Sequence, residues 1–224
     1  MSENITNLQP PEKAAQTPEL VVNLQCRLEA ERRAIERELH DEVSGMLAAA
    51  RMDVSFLRMR AGPADELREH FTRLDGALER AIRATRQIMQ RLRPALLDHF
   101  GLPVALKHLV EENCRAAGID FTVNLPDEIE GVDRDLQIAA FRVVQELLGE
   151  ASSLTAFQAG LSETPNLYRL DLVETMRARA IPEDRLSLAA LRVWIISQGG
   201  QWTVSHEGAV RTTRMILPRQ TSPA

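Results

Sequence analysis

The chain has 224 residues, 44% hydrophobic but only 4% aromatic, enough to bury a core and to divide into two small domains. Its 27 basic and 32 acidic residues leave a formal charge of -5 and are spread along the chain, which argues against nucleic acid and against a polybasic membrane anchor. No stretch reaches the ~20 apolar residues that cross a bilayer, and the polar N-terminus does not resemble a signal peptide.

Cys26 and Cys114 lack the spacing of a disulfide framework or a zinc site. The expectation is a cytoplasmic protein in a reducing compartment, with no metal. Residues 1–18 are polar, contain Pro10, Pro11 and Pro18, and show no periodic apolar positions, so they read as a disordered lead-in. Residues 19–94 read as a helical hairpin. In its first helix Ile35, Leu39, Val43, Met46, Ala50, Val54 and Leu57 recur at steps of three or four, forming an apolar seam. Gly62 and Pro63 break that helix, Asp65 is a candidate cap, and a second seam runs through Leu67, Phe71, Leu74, Leu78, Ile82, Thr85, Met89 and Leu92 up to Pro94. Two such helices alone expose too much apolar surface. Pairing of two hairpins into a four-helix bundle is the expected remedy, with burial against the chain's own C-terminal domain as the alternative.

After Pro94 the character changes. LVEENCRAAG predicts a helix ending near Gly118, and IDFTVNL alternates as a strand does. RDLQIAAFRVVQELLGEA is a second helix, and AFQAGLSE and NLYRLDLVETM form a strand pair turning at Thr164-Pro165-Asn166. LSLAALRVWIISQGG is a third helix, followed by a hairpin of GQWTVSHEG and VRTTRMILP. This order predicts an α+β half in which helices cover one sheet face.

One segment carries chemistry. In RRAIERELHDEVSGML, His40 follows the seam residue Leu39 and lies ~100° around the helix from it, so it faces solvent. An exposed imidazole is a nucleophile near neutral pH, and Asp41 beside it can orient the ring or accept a proton. Arg37 and Ser44, a turn away on either side, are candidates to contact a phosphoryl group. On spacing alone, a solvated histidine on a charged helix is the competing reading. His70, His99, His108 and His206 are scattered without metal-ligand spacing and read as surface or capping residues.

The segment ERRAIERELHDEVSGML resembles the phosphoacceptor region of two-component histidine kinases of the nitrate-sensor (Nar) and Des type. A second signature of that family, at the end of the hairpin, is matched by LRPALLDHFGLPVALKHLVEE, through Leu92, Leu97, Asp98, Gly101 and Leu102. The resemblance implies that His40 is the phosphorylated histidine and Asp41 its acidic helper. It also implies a homodimer through the hairpin, and a response-regulator receiver domain that exchanges the phosphoryl group with its own aspartate. Phosphatase members often carry Gln or His where Gly45 stands, so that water-positioning route is not implied. Gly45 costs the helix roughly 0.5–1 kcal/mol relative to Ala and leaves room for a partner.

By the same resemblance, residues 95–224 are a degenerate ATPase-like domain, the histidine-kinase type of α/β sandwich. An ATP site needs oxygen ligands for Mg²⁺, glycines that admit phosphate and a carboxylate for the adenine amine. Gln145 and Glu146 survive from the asparagine box, but Glu150 stands for the metal-binding Asn. In the first glycine-rich box, VETMRARA, Thr175 replaces the adenine-binding Asp, and Arg177 and Arg179 replace glycines. In the second, Arg185 and Ser187 do so.

No bound cofactor is therefore expected. The favoured function is a phosphorelay protein with histidine phosphotransferase activity, taking phosphate from a receiver or through an upstream histidine kinase. The alternatives are an ATP-dependent sensor kinase with an unusual nucleotide site, using ATP and Mg²⁺, and a non-catalytic dimeric adaptor for a response regulator.

Overall fold

The computed structural model describes residues 12–60, 65–92, 95–177 and 186–220. The chain divides into two units, Arg27–Ala95 on one side and Leu96 onward together with the residues up to Cys26 on the other.

The hairpin unit is built from the part of α1 (Glu12–Glu38) that follows Cys26, a π-helical turn (Leu39–Val43), α2 (Ser44–Arg60) and α3 (Asp65–Leu92). The helix begins earlier than expected: residues 12–18 of the anticipated lead-in are helical, with Pro18 inside α1. Glu12, Lys13, Ala14, Ala15 and Gln16 are strong helix formers, which outweighs the low hydrophobicity that suggested disorder. Residues 1–11 lie outside the described residues, as do the break at Gly62-Pro63 and Pro94.

The seam of the first helix is partly corrected. Leu39, Val43, Ala50 and Val54 are half-buried, but Met46 and Leu57 are 63% and 53% exposed, and Ile35 is exposed as well. Leu47, one position later than Met46, faces inward instead. Leu39, Val43, Leu47, Ala50 and Val54 then run at steps of four and three along the inward face, with Leu47 taken in place of its neighbour Met46. In α3, Phe71, Leu78, Ile82, Thr85, Met89 and Leu92 are half-buried, whereas Leu67, Leu74 and Ile88 are exposed. Arg51 joins the two helices, with Nε 3.1 Å from Asp75 and Nη2 2.8 Å from Glu79. Among the described residues every buried hydrophobic side chain lies at or beyond Leu97, so the hairpin of one chain encloses no buried apolar layer.

The second unit holds that core. It comprises α4 (Ala95–Ala117), β1 (Asp120–Asn124), α5 (Arg134–Leu148), β2 (Leu154–Thr164), β3 (Leu167–Met176), α6 (Leu186–Ser197), β4 (Gln201–Glu207) and β5 (Val210–Pro218). The sheet order is β1-β2-β3-β5-β4, with β1 parallel to β2 and the other pairs antiparallel. The period of two along each strand puts Phe157, Ala159 and Leu161 of β2, Leu170 and Leu172 of β3, and Met215 and Leu217 of β5 on one buried face. Leu136, Ala140, Val143 and Leu147 of α5 and Trp194 and Ile195 of α6 join the same core. The expected α+β architecture, a helical N-terminal region followed by a mixed sheet with helices, is what the chain adopts.

Two local devices shape this unit. Asp133 caps α5, its carboxylate accepting from the backbone N–H of Asp135 at 2.8 Å. Gly101 breaks α4 with φ 79, a conformation that glycine adopts without a Cβ penalty, and Pro103 then sits in the first turn of the continuing helix, where no N–H is needed.

Candidate functional site

His40 and Asp41 lie in the π-turn, and both are exposed, as is Glu42. They are flanked by half-buried Leu39 and Val43, so the turn anchors on its inward side and offers a continuous polar edge outward. The backbone N–H of Ser44 passes over the carbonyl four residues back, which belongs to His40, and donates to Leu39 O, five back. Ser44 Oγ donates to the same carbonyl at 3.4 Å. The sequence shows nothing of this turn, because the residues LHDEV are ordinary helix formers or neutral in a helix.

The other expected contacts near His40 are differently disposed. Arg37 is exposed and its Nε donates to the Arg33 carbonyl at 3.3 Å, which turns it toward the preceding turn. Gly45 is exposed, and a Cβ built there meets nothing within 4 Å. His70, His99, His108 and His206 are all exposed.

The second signature of the hairpin's end belongs structurally to the other unit. Leu97 and Leu102 are 3% and 0% exposed in its core. Arg134, at the start of α5, pairs with Asp98 and donates from Nη1 to the Leu97 carbonyl at 2.7 Å. The Leu-Asp-x-x-Gly-Leu pattern is thus a clasp: two leucines bury, the aspartate fixes an arginine, and Gly101 makes the bend.

The positions of the expected nucleotide boxes are partly gathered. Glu146 of α5 accepts a hydrogen bond from Ser187 Oγ of α6 at 2.6 Å, so these two come together. Gln145 accepts from Arg142 at 2.6 Å. Glu150 lies beyond the end of α5 and is exposed, its carbonyl accepting from Ser153. Arg177 is exposed after β3, and its backbone N–H donates to the Ser153 carbonyl at 2.9 Å. Arg179 and Arg185 lie outside the described residues.

Thr175 lies on the face of β3 opposite the buried one. Leu170, Leu172, Glu174 and Met176 point to the buried face, and Thr175 points the other way. The interior carboxylate at this end of the strand is Glu174, 1% exposed and directly across from buried Arg211 of β5. Arg211 Nε donates to Glu174 Oε2 at 2.6 Å, closing a buried ion pair. Residue-by-residue matching missed Glu174, but the strand's period of two was a signal for it, since Glu174 is in phase with the leucines.

Comparison with known proteins follows this division. Residues 31–97 match the histidine kinase family, a segment that contains the π-turn, His40 and the first residues of the clasp. Over that segment the chain is similar to histidine kinases. The oxygen sensor histidine kinase NreB of Staphylococcus carnosus is 30% identical over 123 residues, covering 55% of this chain and 35% of NreB. The sensor histidine kinase MctS of Rhizobium johnstonii is 32% identical over 120 residues, covering 53% of this chain and 26% of MctS. The chain thus spans about a third or less of the length of these curated relatives.

Among solved structures, the histidine kinase domain of the Erythrobacter litoralis blue-light activated kinase EL346 superposes with a TM-score of 0.47 at 13% identity, covering 78% of this chain and 96% of that one. The histidine kinase ThkA, solved in complex with the response regulator TrrA, gives 0.42 at 16% identity, covering 90% and 67%. Scores this low add nothing to what the strand order already says. Among the described residues no helix is long and apolar enough to cross a membrane.

Proposed function

We propose that this protein is a phosphorelay protein that carries a phosphoryl group on His40 and exchanges it with the aspartate of a response-regulator receiver domain. The observation that carries this reading is the exposed His40-Asp41 pair on a turn anchored by Leu39 and Val43, inside the segment matched to histidine kinases.

In the forward step one imidazole nitrogen of His40 attacks the phosphorus of the receiver's aspartyl phosphate. The N–P bond forms, the acyl P–O bond breaks and the aspartate leaves as carboxylate. Asp41 takes the proton from the other ring nitrogen. The reverse step recharges a second receiver.

The residues present fit ATP and Mg²⁺ poorly. The interior carboxylate, Glu174, is tied to Arg211, and the Asn position holds the exposed Glu150. These features support phosphate entering from a partner rather than from nucleotide bound by this chain. That receivers are the partners is supported by the match of residues 31–97 to the histidine kinase family. A homodimer through the hairpin is supported by the absence of any buried hydrophobic residue among its described positions.

One experiment separates the readings: mass spectrometry of phosphohistidine after exposure to ATP and Mg²⁺, and separately to receiver domains charged with acetyl phosphate. The relay reading expects label on His40 from a receiver and none from ATP. Label from ATP supports the autokinase alternative, in which the Glu146–Ser187 contact holds two of the nucleotide boxes together. No label from either, with regulator binding intact in His40→Ala, leaves the adaptor reading.

A further inference from the structure

The π-turn is the least expected feature of the hairpin, and it falls on the two residues that carry the proposed chemistry. Turns of this kind are rare, arise as single insertions in α-helices and recur at functional sites. This one is held from two directions. Within the helix, Ser44 places both its N–H and its hydroxyl on the Leu39 carbonyl. On the inward side, Leu39, Val43 and Leu47 are all half-buried and anchor the helix before and after the turn. Reversion to an α-helix would rotate the downstream helix by about 100° against the residues before the turn. Leucines on both sides therefore fix where His40 and Asp41 emerge.

We infer that Ser44 is a positioning residue for His40: its hydroxyl secures the π-turn that presents the imidazole and the Asp41 carboxylate together on the exposed edge. This rests on the reading of His40 as phosphoacceptor. In that reading a nucleophile whose backbone is already fixed loses less freedom on reaching the reacting geometry, and a small displacement is costly. The hydroxyl acts through Leu39 O and needs no contact with the phosphoryl group.

The test uses the full chain and potassium phosphoramidate, which phosphorylates imidazole with loss of ammonia and needs no partner. Site-resolved mass spectrometry compares His40 with the exposed histidines 70, 99, 108 and 206 of the same molecule. The expected result is that His40 reacts faster than these, that Ser44→Ala slows it by about tenfold, and that Ser44→Thr keeps most of the rate, since its hydroxyl can still reach a backbone carbonyl one turn back. Hydrogen exchange read before phosphorylation should quicken at the amide of residue 44 in Ser44→Ala only. Equal reactivity of His40 and the other histidines overturns the inference, as does a Ser44→Ala protein with the parental rate or parental exchange. Failure of the relay reading looks different: charged receivers then leave His40 unlabelled, while the phosphoramidate comparison still reports on Ser44.

Discussion

Two buried polar groups show how single residues constrain the second unit. Glu174 and Arg211 face each other across β3 and β5 in a row that also holds Phe157 and, at the exposed edge, His206. Removing one member of a buried pair leaves the other charge unpaired, at a cost of about 3–5 kcal/mol. Urea denaturation should therefore show Glu174→Gln and Arg211→Met each strongly destabilised, while Glu174→Leu with Arg211→Met recovers most of the loss. Equal loss in single and double variants would show that the pair itself stabilises.

The second group is Cys114, whose thiol is pushed up to about 11 by burial in the core. At pH 8 it is almost entirely protonated, and the thiolate is the reactive form. Iodoacetamide on the native protein should modify exposed Cys26 and spare Cys114, with peptide mapping as the check; equal labelling of both would refute the burial.

At the scale of elements, the helices and strands are legible in the sequence because their periods differ, whereas the Asp133 cap at the start of α5 emerges only from the structure. The π-turn stayed hidden. Leu39, Val43 and Leu47 stand four apart as in an unbroken α-helix, so the apolar pattern carries no mark of it. Gly101 belongs to this scale as well: with φ 79 it bends α4 between the buried leucines 97 and 102. A Cβ there costs about 1–2 kcal/mol of conformational strain. Gly101→Ala should lower the thermal midpoint of the second unit measurably, whereas Gly45→Ala, in open space on a helix, should raise or preserve helicity by circular dichroism.

For the whole molecule, the contrast between the two units decides what must happen in solution. The second unit has a continuous buried core, and the hairpin has none among its described residues. Leu67, Leu74 and Ile88 lie on α3 at multiples of seven residues and are about half exposed, the spacing of a seam that meets another helix. Leu67→Glu with Leu74→Glu should convert a dimer to a monomer in light scattering after size exclusion, with loss of hairpin helicity. A monomeric parent would sink the paired-hairpin proposal.

By itself the sequence determined the secondary structure of both units, the exposure of His40 and the kinship carried by its two signatures. Those properties are local: they follow from apolar periodicity, turn residues and short motifs read in order. Tertiary structure alone decided that Arg211 neutralises the interior Glu174 and that the helix at His40 takes a π-turn. The first depends on residues 37 apart in the chain, whose meeting no local pattern encodes, and the second on a backbone bond that helix-compatible residues do not announce.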